Sequence, residues 1–214
     1  SVLGSGAGGV VTTGSNNVCI GFLSGNYAGQ GTLVTGTTST FLGSYSYPTS
    51  SSCTNCIVIG HAVGGADGYT TIGHGGSDIR AAHGNVTWAT VSDERYKKDI
   101  VDSEAGLSLI NALRPRTFKY KTLGELPETF SAYEADSTEV FKNSNTNHGF
   151  IAQEVKAAID ADNSIKDGFR LWDERDDGSQ EVAEAALIPV LVKAIQEQQT
   201  LIESLTARIA ALEE

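Results

Sequence analysis

The segment richest in chemistry is Ser92-Asp93-Glu94-Arg95-Tyr96-Lys97-Lys98-Asp99-Ile100, which sets a hydroxyl and an amine five residues apart. A serine hydroxyl is a weak nucleophile until a neighbouring base takes its proton, and a neutral lysine amine can do so. Lys97 would then have to be deprotonated near neutral pH. Burial pushes a lysine that way, as do the cations Arg95 and Lys98, whereas Asp93, Glu94 and Asp99 oppose it. A spacing of five is awkward, because i and i+5 lie on different faces of a helix and on opposite sides of a strand. Ser92 and Lys97 meet only where the chain bends between them or where a neighbouring copy supplies the lysine. Any chemistry here therefore waits for tertiary or quaternary structure. On spacing alone, a charged, solvated turn at the start of a domain is the competing reading.

The other reactive side chains are Cys19, Cys53 and Cys56. Cys53-Thr-Asn-Cys56 has the CxxC spacing of metal and redox sites. Zinc would want a second ligand pair, and a redox motif would want a βαβ setting rather than a Ser/Thr/Gly-rich stretch. The expectation is unligated, partly buried thiols, with a local disulfide as the next reading and no metal or other cofactor.

The elements around these residues divide sharply. Residues 1–91 hold 19 of the 24 glycines but only three charged side chains, Asp67, Asp78 and Arg80. Residues 92–214 carry the other 38 charged residues and about ten of the eleven net negative charges. Such a step marks a domain boundary just before Ser92. With no basic stripe, no apolar run of membrane-spanning length and no secretory-signal pattern at the N-terminus, nucleic-acid binding and membrane insertion are poor readings.

In the first part, short β-prone runs each end in glycine: Val18-Cys19-Ile20-Gly21, Thr40-Phe41-Leu42-Gly43, Ile57-Val58-Ile59-Gly60 and Thr70-Thr71-Ile72-Gly73. The glycines are 22, 17 and 13 residues apart, too uneven for a tidy solenoid yet similar enough for stacked strands. So uncharged a stretch would be poorly soluble with open sheet edges, which points to a fibre segment intertwined between copies. The second part reads as α+β. Ser103 is placed to cap a helix whose face carries Leu107, Ile110 and Leu113. Strand character follows at Thr117 to Lys121, a polar loop over Leu123 to Thr146, a helix reaching about Ala161, and a short strand at Leu171-Trp172. From about Val182 the pattern is helical. Ile195, Ile202 and Ile209, with Gln198, Leu205 and Leu212, form an a/d seam over 195–214. Isoleucine at a and leucine at d favour two strands on their own.

Four blocks in order resemble the endosialidase-type intramolecular chaperone domain, a serine-peptidase-like family of phage tailspikes, tail fibres and animal myelin regulatory factors. The first is the Ser-Asp-x-Arg-x-Lys-x-x-Ile signature, filled by Ser92, Asp93, Arg95, Lys97 and Ile100. The others are Leu113-Arg114-Pro115-Arg116-Thr117-Phe118-Lys119-Tyr120, His148-Gly149-Phe150-Ile151-Ala152-Gln153-Glu154-Val155, and the run from Leu187 to Glu197.

The resemblance implies a mixed fold: an all-β trimeric fibre segment over 1–91, triple β-helical or otherwise interleaved, then an α+β chaperone domain over 92–214 ending in a coiled-coil helix. It implies a homotrimer that templates folding of the fibre and then cuts itself free, with Ser92 as nucleophile and Lys97 as base. Cleavage would fall at Val91–Ser92, with a cut after Ser92 the alternative. His148 would support processing or assembly, and Asp93 and Arg95 would hold the loop by ion pairing. The mature fibre would sit in a virion tail and meet a host surface receptor or glycan, while the chaperone domain is released in the host cytoplasm. A non-cleaving trimer clamp on a fibre tip is the alternative. A glycan hydrolase has only Asp67 and Asp78 for its two carboxylates in residues 1–91. The transcription-factor branch of the family lacks a basic DNA-reading element here.

Overall fold

The computed structural model describes residues 1–162, 165 and 170–213, in two compact units, Ser1–Asp99 and Ile100–Glu214. The eight residues Ser92–Asp99 thus belong to the first unit, although the composition changes before them.

The first unit is built from ten short strands: β1 (Val2–Leu3), β2 (Val18–Ile20), β3 (Asn26–Tyr27), β4 (Gly31–Thr32), β5 (Thr40–Leu42), β6 (Tyr47–Pro48), β7 (Ile57–His61), β8 (Gly64–Gly65), β9 (Tyr69–His74) and β10 (Ser77–Ala82). Six of them form one sheet in the order β1-β2-β5-β7-β9-β10, parallel until the final β9–β10 hairpin. Two-stranded pairs β3–β4 and β6–β8 complete the successive coils. The arrangement is solenoid-like, with the parallel strands of successive coils paired within the chain. Its strands find partners within the chain, so pairing them does not require a second copy.

Register explains how an uneven sequence repeat makes an even stack. Cys19, Phe41, Val58 and Thr71 align across neighbouring strands, and all four are buried. They point inward because alternate strand residues face opposite sides. Differences between the 22-, 17- and 13-residue intervals are taken up in the loops, which do not disturb the ladder. Leu33, Val63 and the two buried cysteines Cys53 and Cys56 close the same core. Cys53 and Cys56 form a disulfide, which corrects the expectation of unligated thiols: the turn between them brings their Cα atoms to 6.2 Å. Cys19 is the free buried thiol, and burial pushes its pKa up.

The glycines that end the strands stack in a column with Gly4. A Cβ on Gly43 would lie 2.2 Å from the Gly60 carbonyl oxygen, and one on Gly60 would lie 1.8 Å from that of Gly73. At φ of +122° and +133° these residues also hold a backbone that L side chains rarely adopt. Corner residues repeat as well: Asn16, Thr38 and Asn55, then Leu23, Tyr45 and Ala62, take left-handed conformations at matching places in successive coils. Buried Ser24 and Ser39 donate to the Phe41 and Cys53 carbonyls of the next coil and Ser46 to the Gly43 carbonyl of its own, which is why hydroxyls are tolerated inside.

In the second unit, α1 (Leu107–Ala112), α2 (Ala152–Ala161) and α3 (Leu187–Glu213) accompany two hairpin pairs, β11 (Arg116–Phe118) with β12 (Asn147–Gly149) and β13 (Trp172–Glu174) with β14 (Gln180–Val182). Leu109, Leu113, Val155, Ile159, Leu171, Leu187 and Val190 form its core. The start of α1 differs from expectation. Ser103 does not cap it; the Leu107 amide donates instead to Glu197 Oε2 at 2.7 Å, a residue of α3. A Cβ on Gly106 would meet that carboxylate at 2.5 Å, so a larger residue there would push the Glu197 side chain aside. The helical region also begins at Leu187 rather than near Val182, because Gln180–Val182 pairs as a strand and a short 3-10 turn, Glu184–Ala186, intervenes. Over its 27 residues, α3 buries Leu187, Val190 and Ala194, whereas Ile195, Ile202, Leu205, Ile209 and Leu212 are exposed. Among the described residues no helix is long and apolar enough to cross a membrane.

Candidate functional site

Ser92 and Lys97 are brought together within one chain. The Lys97 Nζ donates to Ser92 Oγ at 2.8 Å. Of the two routes open from the sequence, the bend is the one taken: a single 3-10 turn, Glu94–Tyr96, lies between them. A 3-10 turn advances only about 2 Å per residue, and the long lysine side chain spans what remains by folding back.

Asp93 makes that turn. Its side chain caps the turn by accepting from the Arg95 amide at 2.9 Å, and Arg95 Nε and Nη2 return to its two carboxylate oxygens at 2.9 and 2.6 Å. At the other end the Lys97 amide donates to the Glu94 carbonyl at 2.8 Å. The bond from the Arg95 guanidinium, followed by the backbone bond from Arg95, holds the Asp93 pKa below the usual aspartate value, and the Lys97 charge acts the same way. The alternation Ser-Asp-x-Arg-x-Lys is thus a capped turn whose two flanking residues carry the hydroxyl and the amine. Both of those residues are exposed to water in the single chain.

The chain enters this turn along an edge of the solenoid. Ala89 and Arg80 exchange backbone hydrogen bonds of 2.8 Å in each direction, an antiparallel bridge on the outer side of β10. Thr90 Oγ1 donates to the Asp78 carbonyl at 2.9 Å. Val91 and Tyr96 line a cleft of about 420 Å³ with Ile72, Ser77, Asp78 and Ile79. Sequence reasoning missed this edge; the available signal was the β-prone run Val86-Thr87-Trp88-Ala89-Thr90-Val91.

His148 is exposed on β12 opposite Thr117, in the second unit, beside a small cleft lined by Pro115, Arg116 and Phe150. The adjacent blocks of sequence meet there: Glu154 on α2 accepts a paired ion bond from Arg116 on β11 and a longer one from Arg114 at 3.5 Å. The Arg116 hydrogen bond depresses the Glu154 pKa, and the charges of Arg116 and Arg114 add to it. Asp67 Oδ1 lies 4.0 Å from Cys56 Sγ and accepts from the Thr54 amide. With Cys53 and Cys56 joined to each other, that cluster offers no thiolate to a metal.

Compared with known families, residues 92–163 match the one described as chaperone of endosialidase. The match starts at the dyad serine and covers α1, β11, β12 and α2. No curated protein and no solved structure matches the chain.

Proposed function

We propose, on the premise that residues 92–163 form an endosialidase-type chaperone domain, that this chain is an intramolecular chaperone of a viral tail fibre or tailspike. It trimerises, folds the solenoid that precedes it, and releases itself by autoproteolysis at Val91–Ser92. The observation that carries the cleavage reading is the 2.8 Å contact between Lys97 Nζ and Ser92 Oγ at the point where the family match begins.

In this mechanism, neutral Lys97 takes the proton from Ser92 Oγ as the oxygen attacks the Val91 carbonyl carbon. The Val91–Ser92 C–N bond breaks, the proton passes to the departing Ser92 nitrogen, and an ester joins Val91 to Ser92 Oγ. Water then hydrolyses the ester, leaving a Val91 carboxylate and a free Ser92 hydroxyl and amine. The turn supplies proximity. The single chain leaves the amine in water, and covering it on assembly would favour its neutral form, so cutting follows association. The exposed Ile195, Ile202 and Ile209 of α3, in register with Leu205 and Leu212, support self-association through that helix. A chaperone that associates first raises the local concentration of the fibre segments, and its release then leaves the fibre protected by a high unfolding barrier.

The exposure of both dyad residues is also what favours the second reading, a clamp that stays attached. Intact mass and denaturing gels of wild type, Ser92→Ala and Lys97→Ala separate the two. Fragments of residues 1–91 and 92–214 in wild type alone support autoproteolysis. One full-length species in all three leaves the clamp.

A further inference from the structure

The segment in front of the dyad is tied to the last strand of the solenoid, and the tie ends at Thr90, one residue before the carbonyl that is to be attacked. The Arg80–Ala89 bridge fixes an antiparallel register in which Val91 falls opposite Asp78. In such a ladder reciprocally bonded pairs recur every second residue, so the next pair after Arg80–Ala89 would be Asp78–Val91. That pair does not form among the described residues. The Asp78 carbonyl instead accepts from Thr90 Oγ1 at 2.9 Å. Thr90 thereby stops the ladder one residue before the scissile bond, and the Val91 peptide leaves the sheet edge beside the cleft that Val91 shares with Tyr96.

Resting on the autoproteolysis reading above, we infer that Thr90 is a positioning residue for self-cleavage and that the β10 edge presents the scissile peptide to Ser92 and Lys97. A peptide held in a sheet ladder keeps its carbonyl hydrogen-bonded, whereas one released at a fixed point is both accessible and oriented. The same tie links cleavage to folding. β10 is paired along its whole length with β9, over the six pairs from Ser77–His74 to Ala82–Tyr69, and β9 in turn pairs with β7. The scissile bond therefore reaches its place when the final coil of the solenoid has formed, so that the cut reports a completed fibre segment.

The test is the rate of self-cleavage of the full chain carrying Thr90→Val, Thr90→Ser or Ala89→Pro, followed by intact mass across a range of pH. Misplacing a reacting group by about 1 Å costs on the order of a hundredfold in rate. Thr90→Val is expected to slow cleavage about ten- to hundredfold, with the shape of its pH profile, its oligomeric state and its unfolding midpoint those of wild type. Thr90→Ser, which keeps the hydroxyl, restores the rate to within about threefold of wild type. Ala89→Pro, which removes the amide donated to Arg80, slows cleavage while circular dichroism shows the solenoid still folded. A Thr90→Val chain that cuts at the wild-type rate overturns the inference and leaves autoproteolysis standing. A Thr90→Ser chain as slow as Thr90→Val also overturns it, since the hydroxyl would not then be the group that acts. A wild type that never cuts removes the autoproteolysis reading and this one with it.

Discussion

Replacing Gly60 by alanine tests the solenoid on which the dyad segment is mounted. Two costs are readable at this position. The backbone sits at φ +133°, a region close to glycine-only, where an alanine is strained by about 1–3 kcal/mol. The new methyl would also lie 1.8 Å from the Gly73 carbonyl oxygen of the next coil. Because that obstacle is backbone in a paired strand, relief means shifting the ladder, an overpacking cost of about 1–3 kcal/mol. Together they amount to about 4 kcal/mol, a large share of the 5–15 kcal/mol that separates typical folded and unfolded domains. Gly68 provides the control. It has φ +71° but open space around its Cβ position, so Gly68→Ala keeps only the conformational cost, about 1–2 kcal/mol. The assay is urea unfolding at one fixed protein concentration, with hydrogen exchange of peptides covering β7 and β9 to assign the transition. A Gly60→Ala loss no greater than that of Gly68→Ala would refute the stacked-glycine account.

Three further outcomes follow from the second unit and its helix. Leu109 is 1 % exposed in the core between α1 and its neighbours, so Leu109→Ala should lower the unfolding free energy by about 2–5 kcal/mol, read by chemical denaturation. Glu154 is a depressed carboxylate, so its pairing with Arg116 and Arg114 is fully present above the unfolded-state value near pH 4 and is lost as pH falls through the folded value. Glu154→Gln should therefore lower the urea midpoint at pH 7, by a deficit that shrinks as the solution is acidified; a deficit that does not change with pH would contradict the ion pair. On the self-association proposed for α3, Ile202→Asp with Ile209→Asp, both exposed in the single chain, should shift the protein toward monomer in sedimentation while leaving its helical signal largely intact.

Some of this protein could be seen in the order of its residues. Val18-Cys19-Ile20-Gly21 and its three relatives already contain the inward central residue and the terminal glycine of each coil, because both requirements are local. The signature from Ser92 to Ile100 contains the hydroxyl, the amine and the Asp93–Arg95 pair that bends the chain between them. What the sequence could not settle were the contacts whose partners are remote along the chain. Glu197 caps α1 from 90 residues away, and no cap signal near Gly106 announces it. Thr90 looks like any β-prone threonine until Arg80 fixes the register that sets it against Asp78.

The division has a physical cause. Periodicity, turn conformation and charge pairing over a few residues are decided by neighbouring atoms, so the chain carries them in its composition and spacing. Which strand edge lies beside which residue depends on loop lengths and on how whole coils stack, and the uneven 22-, 17- and 13-residue intervals give no register until the coils are closed. The sequence by itself determined which groups are present at Ser92 and Lys97; the folded chain decided that they touch, and on what edge they are held.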